Sequence, residues 1–107
     1  MSIIAVDFDG TLTYPSPYPI TGKPNVEVIN KIKQLQRDNV IILYTCREGD
    51  DLKEAVSICA SYGLYFDLIN ENVPEHTKSR KIWADIYFDD KAVNNIDNLL
   101  RNLTKGT

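Results

Sequence analysis

The stretch "IIAVDFDGTLT", residues 3–13, decides the fold. Four apolar residues, Ile3 to Val6, run straight into Asp7; Asp9 follows one Phe later, and then Gly10 and Thr11. Residues 3–8 read as a strand apolar on both faces, the pattern of a parallel sheet covered by helices. Successive side chains on a strand point to opposite faces, so Asp7 and Asp9 are expected to share one side and to address one partner. Gly10 lets the backbone leave the strand sharply.

Working outward, residues 14–24, "YPSPYPITGKP", hold four of the five prolines and are excluded from helix or central strand. They form a loop or small flap. From Asn25 the spacing turns helical, with Val28, Ile29, Ile32 and Leu35 on one face. "VIILYT", residues 40–45, is a second doubly buried strand. A second helix carries Leu52, Ala55, Val56, Cys59 and Tyr62, and Gly63 supplies its C-terminal stop. "LYFDLIN", 64–70, is a third strand, less purely apolar and suited to a sheet edge. After the loop "ENVPEHT" come a helical turn around 78–83, a fourth strand in "DIYFDD", and a last helix with Ile96, Leu99, Leu100 and Leu103. Strands alternating with helices imply right-handed crossovers and a doubly wound parallel α/β sheet of about four strands.

Composition sets the outer limits. A chain of 107 residues is expected to fold as one domain, burying about 65% of its unfolded surface. Its 43% hydrophobic and 25% charged content is ordinary for a globular protein. A net charge of −3 weighs against generic binding to nucleic acid or anionic membranes. Cys46 and Cys59 make no disulfide framework; reduced thiols in a cytosolic protein are the simpler expectation. The N-terminus has no positive region and meets acid by residue 7, unlike a signal peptide. No apolar run approaches the ~20 residues of a membrane span. The expected location is the cytoplasm, with no membrane partner.

The polar residues fall at strand ends: Asp7 on the first strand, Thr45 on the second, Asp89 and Asp90 on the fourth. In an open parallel sheet, ligands bind in the crevice outside the carboxyl ends. With Asp9, four carboxylates crowded there would repel one another unless something positive sits among them. A hard divalent cation that prefers oxygen ligands, Mg²⁺ above all, resolves the conflict. Each piece alone has a plainer explanation: D-x-D-G is a common turn after a strand, and "DD" suits the start of a helix. An EF-hand loop counted from Asp7 would need Glu at its twelfth position, where Tyr18 stands. Together, in this order, the pieces are hard to ascribe to chance.

"DFDGTLT", then "LYTCR", then Lys81 with "ADIYFDD" resemble the haloacid dehalogenase superfamily of Mg²⁺-dependent aspartyl phosphohydrolases, in its minimal capless form. The resemblance spans residues 3 to about 93, and the first motif is its most specific part. It implies a sheet of order 4-1-2-3 with helices on both faces and no cap domain. It makes Asp7 the nucleophile that forms an aspartyl-phosphate and Asp9 the general acid and then base. Thr45 would hydrogen-bond the transferring phosphoryl group, and Lys81 would neutralise its charge. Asp89, with Asp90 beside it, would hold Mg²⁺ together with Asp7 and the backbone carbonyl of Asp9. Gly10, Thr11, Cys46 and Arg47 are the expected substrate-side residues. The chemistry agrees: a carboxylate attacking a phosphate dianion needs a metal and a lysine to screen it.

Some roles stay open on the sequence. Lys78, about one helical turn before Lys81, lies nearer the crevice in a parallel fourth strand. Arg47 could meet a substrate anion or pair with Glu48 or Asp51. Cys46 has no histidine placed to activate it, and His76, in a polar loop, is no obvious ligand. The two gaps where family members insert caps are short here, about twenty and fifteen residues. Such a protein acts on a large substrate that covers the site, or borrows a neighbouring subunit as cover. The competing functions are a catalytically idle phosphate- and metal-binding module, a receiver module and a dehalogenase. A receiver's acid would follow strand three, where "DLIN" stands, and dehalogenase relatives lack the acid at Asp9. The phosphorylated substrate itself is not named by these residues.

Overall fold

The computed structural model describes residues 1–17, 19–74 and 82–89. Its elements are β1 (Ile3–Val6), α1 (Val26–Gln36), β2 (Val40–Leu43), α2 (Gly49–Ser61), β3 (Leu68–Ile69) and β4 (Ile86–Phe88). All strand pairs are parallel, in the order β3-β2-β1-β4, which is the expected order counted from the other edge. Val6 lies opposite both Leu43 and Phe88, and Leu43 opposite Ile69, so the carboxyl ends are level. No cap domain is inserted: residues 7–25 join β1 to α1, and 70–85 join β3 to β4. No helix among the described residues is long and apolar enough to cross a membrane.

The two central strands are buried on both faces, as their apolar runs demand. On one face Ile4, Val6, Ile41 and Leu43 meet α1 through Val28, Ile29, Ile32 and Leu35, and α2 through Ala55 and Cys59. Phe8, Leu12 and Leu64 close that core. Among the described residues, α1 and α2 lie on one face because β1, β2 and β3 follow one another in one direction across the sheet. The other face, with Ile3, Ala5 and Ile42, meets Ala84, Val73 and Ile82 among the described residues. The last helix lies outside the described residues, as does most of the turn around 78–83, whose final residues 82 and 83 are non-helical.

Element ends follow local chemistry. Asn25 caps α1 by accepting from the Val28 amide at 3.3 Å. The end of α2 is a Schellman turn: Leu64 N–H reaches the Cys59 carbonyl and Gly63 N–H the Ala60 carbonyl, both at 2.9 Å. Gly63 takes φ +83°, where a Cβ would also stand 2.9 Å from the Lys33 ammonium. The flap is closed at its base by an antiparallel bridge between Thr13 and Pro24 and by Tyr14 N–H donating to the Lys23 carbonyl at 2.8 Å.

The expected strand bounds are corrected: the second strand ends at Leu43, short of Thr45, and the third spans only Leu68–Ile69. The first strand ends at Val6, not at residue 8. The Phe8 carbonyl collects the amides of Thr11, Leu12 and Thr13 at 2.9–3.3 Å, a tight turn entered with Gly10 at φ +78°. The strand alternation that would put Asp7 and Asp9 on one side therefore stops before Asp9.

Candidate functional site

The site is built on the level carboxyl edge. Asp7 directly follows β1, and its amide continues the ladder by donating to the Phe88 carbonyl at 3.0 Å. Its Oδ1 accepts the Phe8 amide at 2.8 Å. Asp89 directly follows β4, so the two acids occupy corresponding positions on adjacent strands; both are half-buried. Thr45 stands two residues beyond β2, its amide held by Asn70 Oδ1 at 2.9 Å. Its hydroxyl accepts the Arg47 amide at 3.2 Å.

Asp9 stands apart from these strand ends, in the turn. Arg47 grips it with both prongs, Nε to Oδ2 at 2.8 Å and Nη2 to Oδ1 at 2.7 Å. The same guanidinium donates to the Asp51 carbonyl and to the Thr21 hydroxyl of the flap, each at 3.1 Å. It lies over the Phe8 ring, 4.8 Å from the centroid. The Asp9 hydrogen bonds raise the Arg47 pKa above its ordinary value; burial works the other way, and the charges of Asp9, Glu54 and Asp51 add to the rise. Of the two roles the sequence leaves to Arg47, a surface pairing with Glu48 or Asp51 is replaced by this pairing with Asp9. Asp51 hydrogen-bonds the guanidinium through its backbone carbonyl.

Two cavities open beside Asp9. The larger, about 450 Å³, is lined by Asp9, Ser16, Ile20, Cys46, Arg47 and Glu48 among others. The smaller, about 230 Å³, includes Gly10, Thr13 and Gly22. Gly22 is there for space, since a Cβ would run into the Tyr14 carbonyl oxygen. Of the expected substrate-side residues, Cys46 and Arg47 thus meet Asp9 at the larger cavity and Gly10 meets it at the smaller. Thr11 is fully buried, and among the described residues its hydroxyl has no hydrogen-bond partner.

For a cation, Asp7 and Asp89 offer the hard oxygens that Mg²⁺ selects. Among the described residues no three His, Cys, Asp or Glu are grouped to hold a metal. Asp90 lies outside the described residues, as do Lys81, Lys78 and His76.

Two residues join the site that sequence reasoning passed over. Asn70 follows β3 as Asp7 follows β1, and it sits at φ +52°, a conformation Asn tolerates better than most residues. Its place at a strand end was the available signal. Thr21 has no such signal, because its partners Arg47 and Glu54 are 26 and 33 residues away.

The chain matches no protein-family model and no curated protein. Among solved structures it is similar to a conserved protein from Bacteroides thetaiotaomicron, with TM-score 0.83 and 32% sequence identity. The match covers 99% of this chain and 92% of that one. With that identity held over nearly the full length of both chains, this protein belongs to the same family as the conserved Bacteroides thetaiotaomicron protein.

Proposed function

We propose that this protein is a Mg²⁺-dependent phosphohydrolase that cleaves a phosphomonoester through an aspartyl-phosphate on Asp7. The observation that carries this reading is the register of the carboxyl edge. Asp7 and Asp89 stand side by side on adjacent strand ends, Thr45 stands beyond the next strand, and Asp9 lines a cavity large enough for a small leaving group.

In this reading an Asp7 oxygen attacks phosphorus while the bond to the leaving oxygen breaks. Asp9 gives that oxygen a proton, then takes one from the water that displaces Asp7 and frees inorganic phosphate. Thr45 hydrogen-bonds the transferring group, and Lys81, with Lys78 as its rival, balances its charge. Asp7, Asp89, Asp90 and the backbone carbonyl of Asp9 would hold Mg²⁺, which when bound neutralises charge on the phosphoryl oxygens.

The test is hydrolysis of a simple aryl phosphate with Mg²⁺ or with EDTA. Wild type is expected to turn over with Mg²⁺ only, Asp7→Asn to fall to background, and Asp9→Asn to lose about 10²- to 10⁴-fold. A folded wild type with no turnover would sink the reading. The alternative is a catalytically idle phosphate- and metal-binding module on the same fold. One observation favours it: both Asp9 oxygens already accept from Arg47.

A further inference from the structure

Arg47 joins three pieces of chain that are distant in sequence. Its side chain is only 13% exposed, and all three of its nitrogens donate. Nη2 is shared: it donates both to Asp9 Oδ1 and to Thr21 Oγ1 on the flap's returning arm. Thr21 in turn donates to Glu54 on α2 at 2.6 Å. The returning arm reaches the body of the protein through these hydroxyl contacts as well as through its base at Thr13–Pro24.

A carboxyl group whose two oxygens both accept from one guanidinium keeps only its remaining lone pairs for a proton bound to a leaving group. Arginine's planar fork holds both at once, and it lies over the Phe8 ring. Since Nη2 serves the flap and Asp9 together, moving it off one disturbs the other.

We propose that Arg47 is a positioning residue that latches the flap to Asp9, so that Asp9 becomes available as acid and base only when the fork lets go. The link to acid–base action rests on the phosphohydrolase reading. The latch itself does not, and the experiment separates them.

Amide hydrogen exchange and the Arg47 Nε–H resonance are followed by NMR in wild type, Arg47→Met, Asp9→Asn and Thr21→Val. Arg47→Met keeps the apolar stem over Phe8 and removes the fork. The expected result is a protected Nε–H signal in wild type that is lost in Asp9→Asn. The Tyr14 amide, which closes the flap, is expected to exchange about three- to tenfold faster in all three variants, the response to losing one link. The amides of Ile4 and Ile42 serve as the control for global loosening and should not change. Unchanged Tyr14 exchange in Asp9→Asn and Thr21→Val would overturn the latch, because a purely packing role for Arg47 survives both substitutions. On an aryl phosphate, Thr21→Val is expected to raise kcat with KM held. A loosened flap with unchanged kcat would overturn the link to Asp9. A wild type inert toward every ester would end the phosphohydrolase reading while the exchange data still decide the latch.

Discussion

Phe8 is completely buried although it stands between two aspartates, and it explains much of the local design. Its ring joins the core and its carbonyl gathers three amides. The guanidinium that grips Asp9 lies over that ring. The two thiols show the same dependence on surroundings. Burial pushes Cys59 up from 9.0 to about 12, while Cys46 is exposed at the larger cavity. Native protein should therefore titrate one thiol at pH 8 with an aromatic disulfide reagent, and urea-unfolded protein two. Cys59 stays protonated in the folded chain above 9.0, where its unfolded counterpart ionises, so stability falls as pH rises from there towards 12. The slope is at most about 1.4 kcal/mol per pH unit from this group. Urea midpoints at pH 8 and 10 should diverge more for wild type than for Cys59→Ala.

At the scale of elements, the ends are where single residues matter. Replacing Asn25 by Ala removes the α1 cap, and a loss of about 1 kcal/mol is expected by urea denaturation. Gly63→Ala meets both a left-handed φ and the Lys33 ammonium, and should cost more than about 1 kcal/mol by the same measurement. Both positions are legible in the sequence, because a cap or a stop is a local conformational demand. Other boundaries were less so. The second helix begins at Gly49, three residues before Leu52, the first apolar residue of its stripe, because Asp50 and Asp51 suit a helix start without marking a buried face. The third strand shrinks to Leu68–Ile69: Leu64 is taken by the Schellman turn, and the Asp67 carboxylate accepts the Ile41 amide at 2.7 Å where pairing begins.

For the whole molecule, the lack of a cap bears, under the phosphohydrolase reading, on the size of a substrate and on cover by a second subunit. The larger cavity, about 450 Å³, already has flap residues on one wall. Under the phosphohydrolase reading, small sugar or alcohol phosphates should then be cleaved faster than a phosphopeptide, as a panel of kcat/KM values would show. Glu48 and Asp51 also line that cavity beside the paired Asp9 and Arg47. A leaving group with a second phosphate should fare worse than its neutral counterpart in the same panel, through like-charge repulsion. Cover by a neighbouring subunit predicts a dimer, and a monomeric mass at micromolar concentration by size-exclusion light scattering would remove that idea.

The amino-acid sequence by itself determined the two doubly apolar strands, the amphipathic α1 and the placing of Asp7, Thr45 and Asp89 at the ends of β1, β2 and β4 or just beyond them. Periodicity and turn chemistry act within a few residues, so they can be read from one chain. Only the tertiary structure decided that Asp9 leaves the strand and meets Arg47, 38 residues on, and that Asn70 holds the Thr45 amide from 25 residues away. Those contacts depend on the register of three parallel strands and the fold of the flap. No local pattern of residues specifies them, because parallel strands are brought level by packing of the intervening helices.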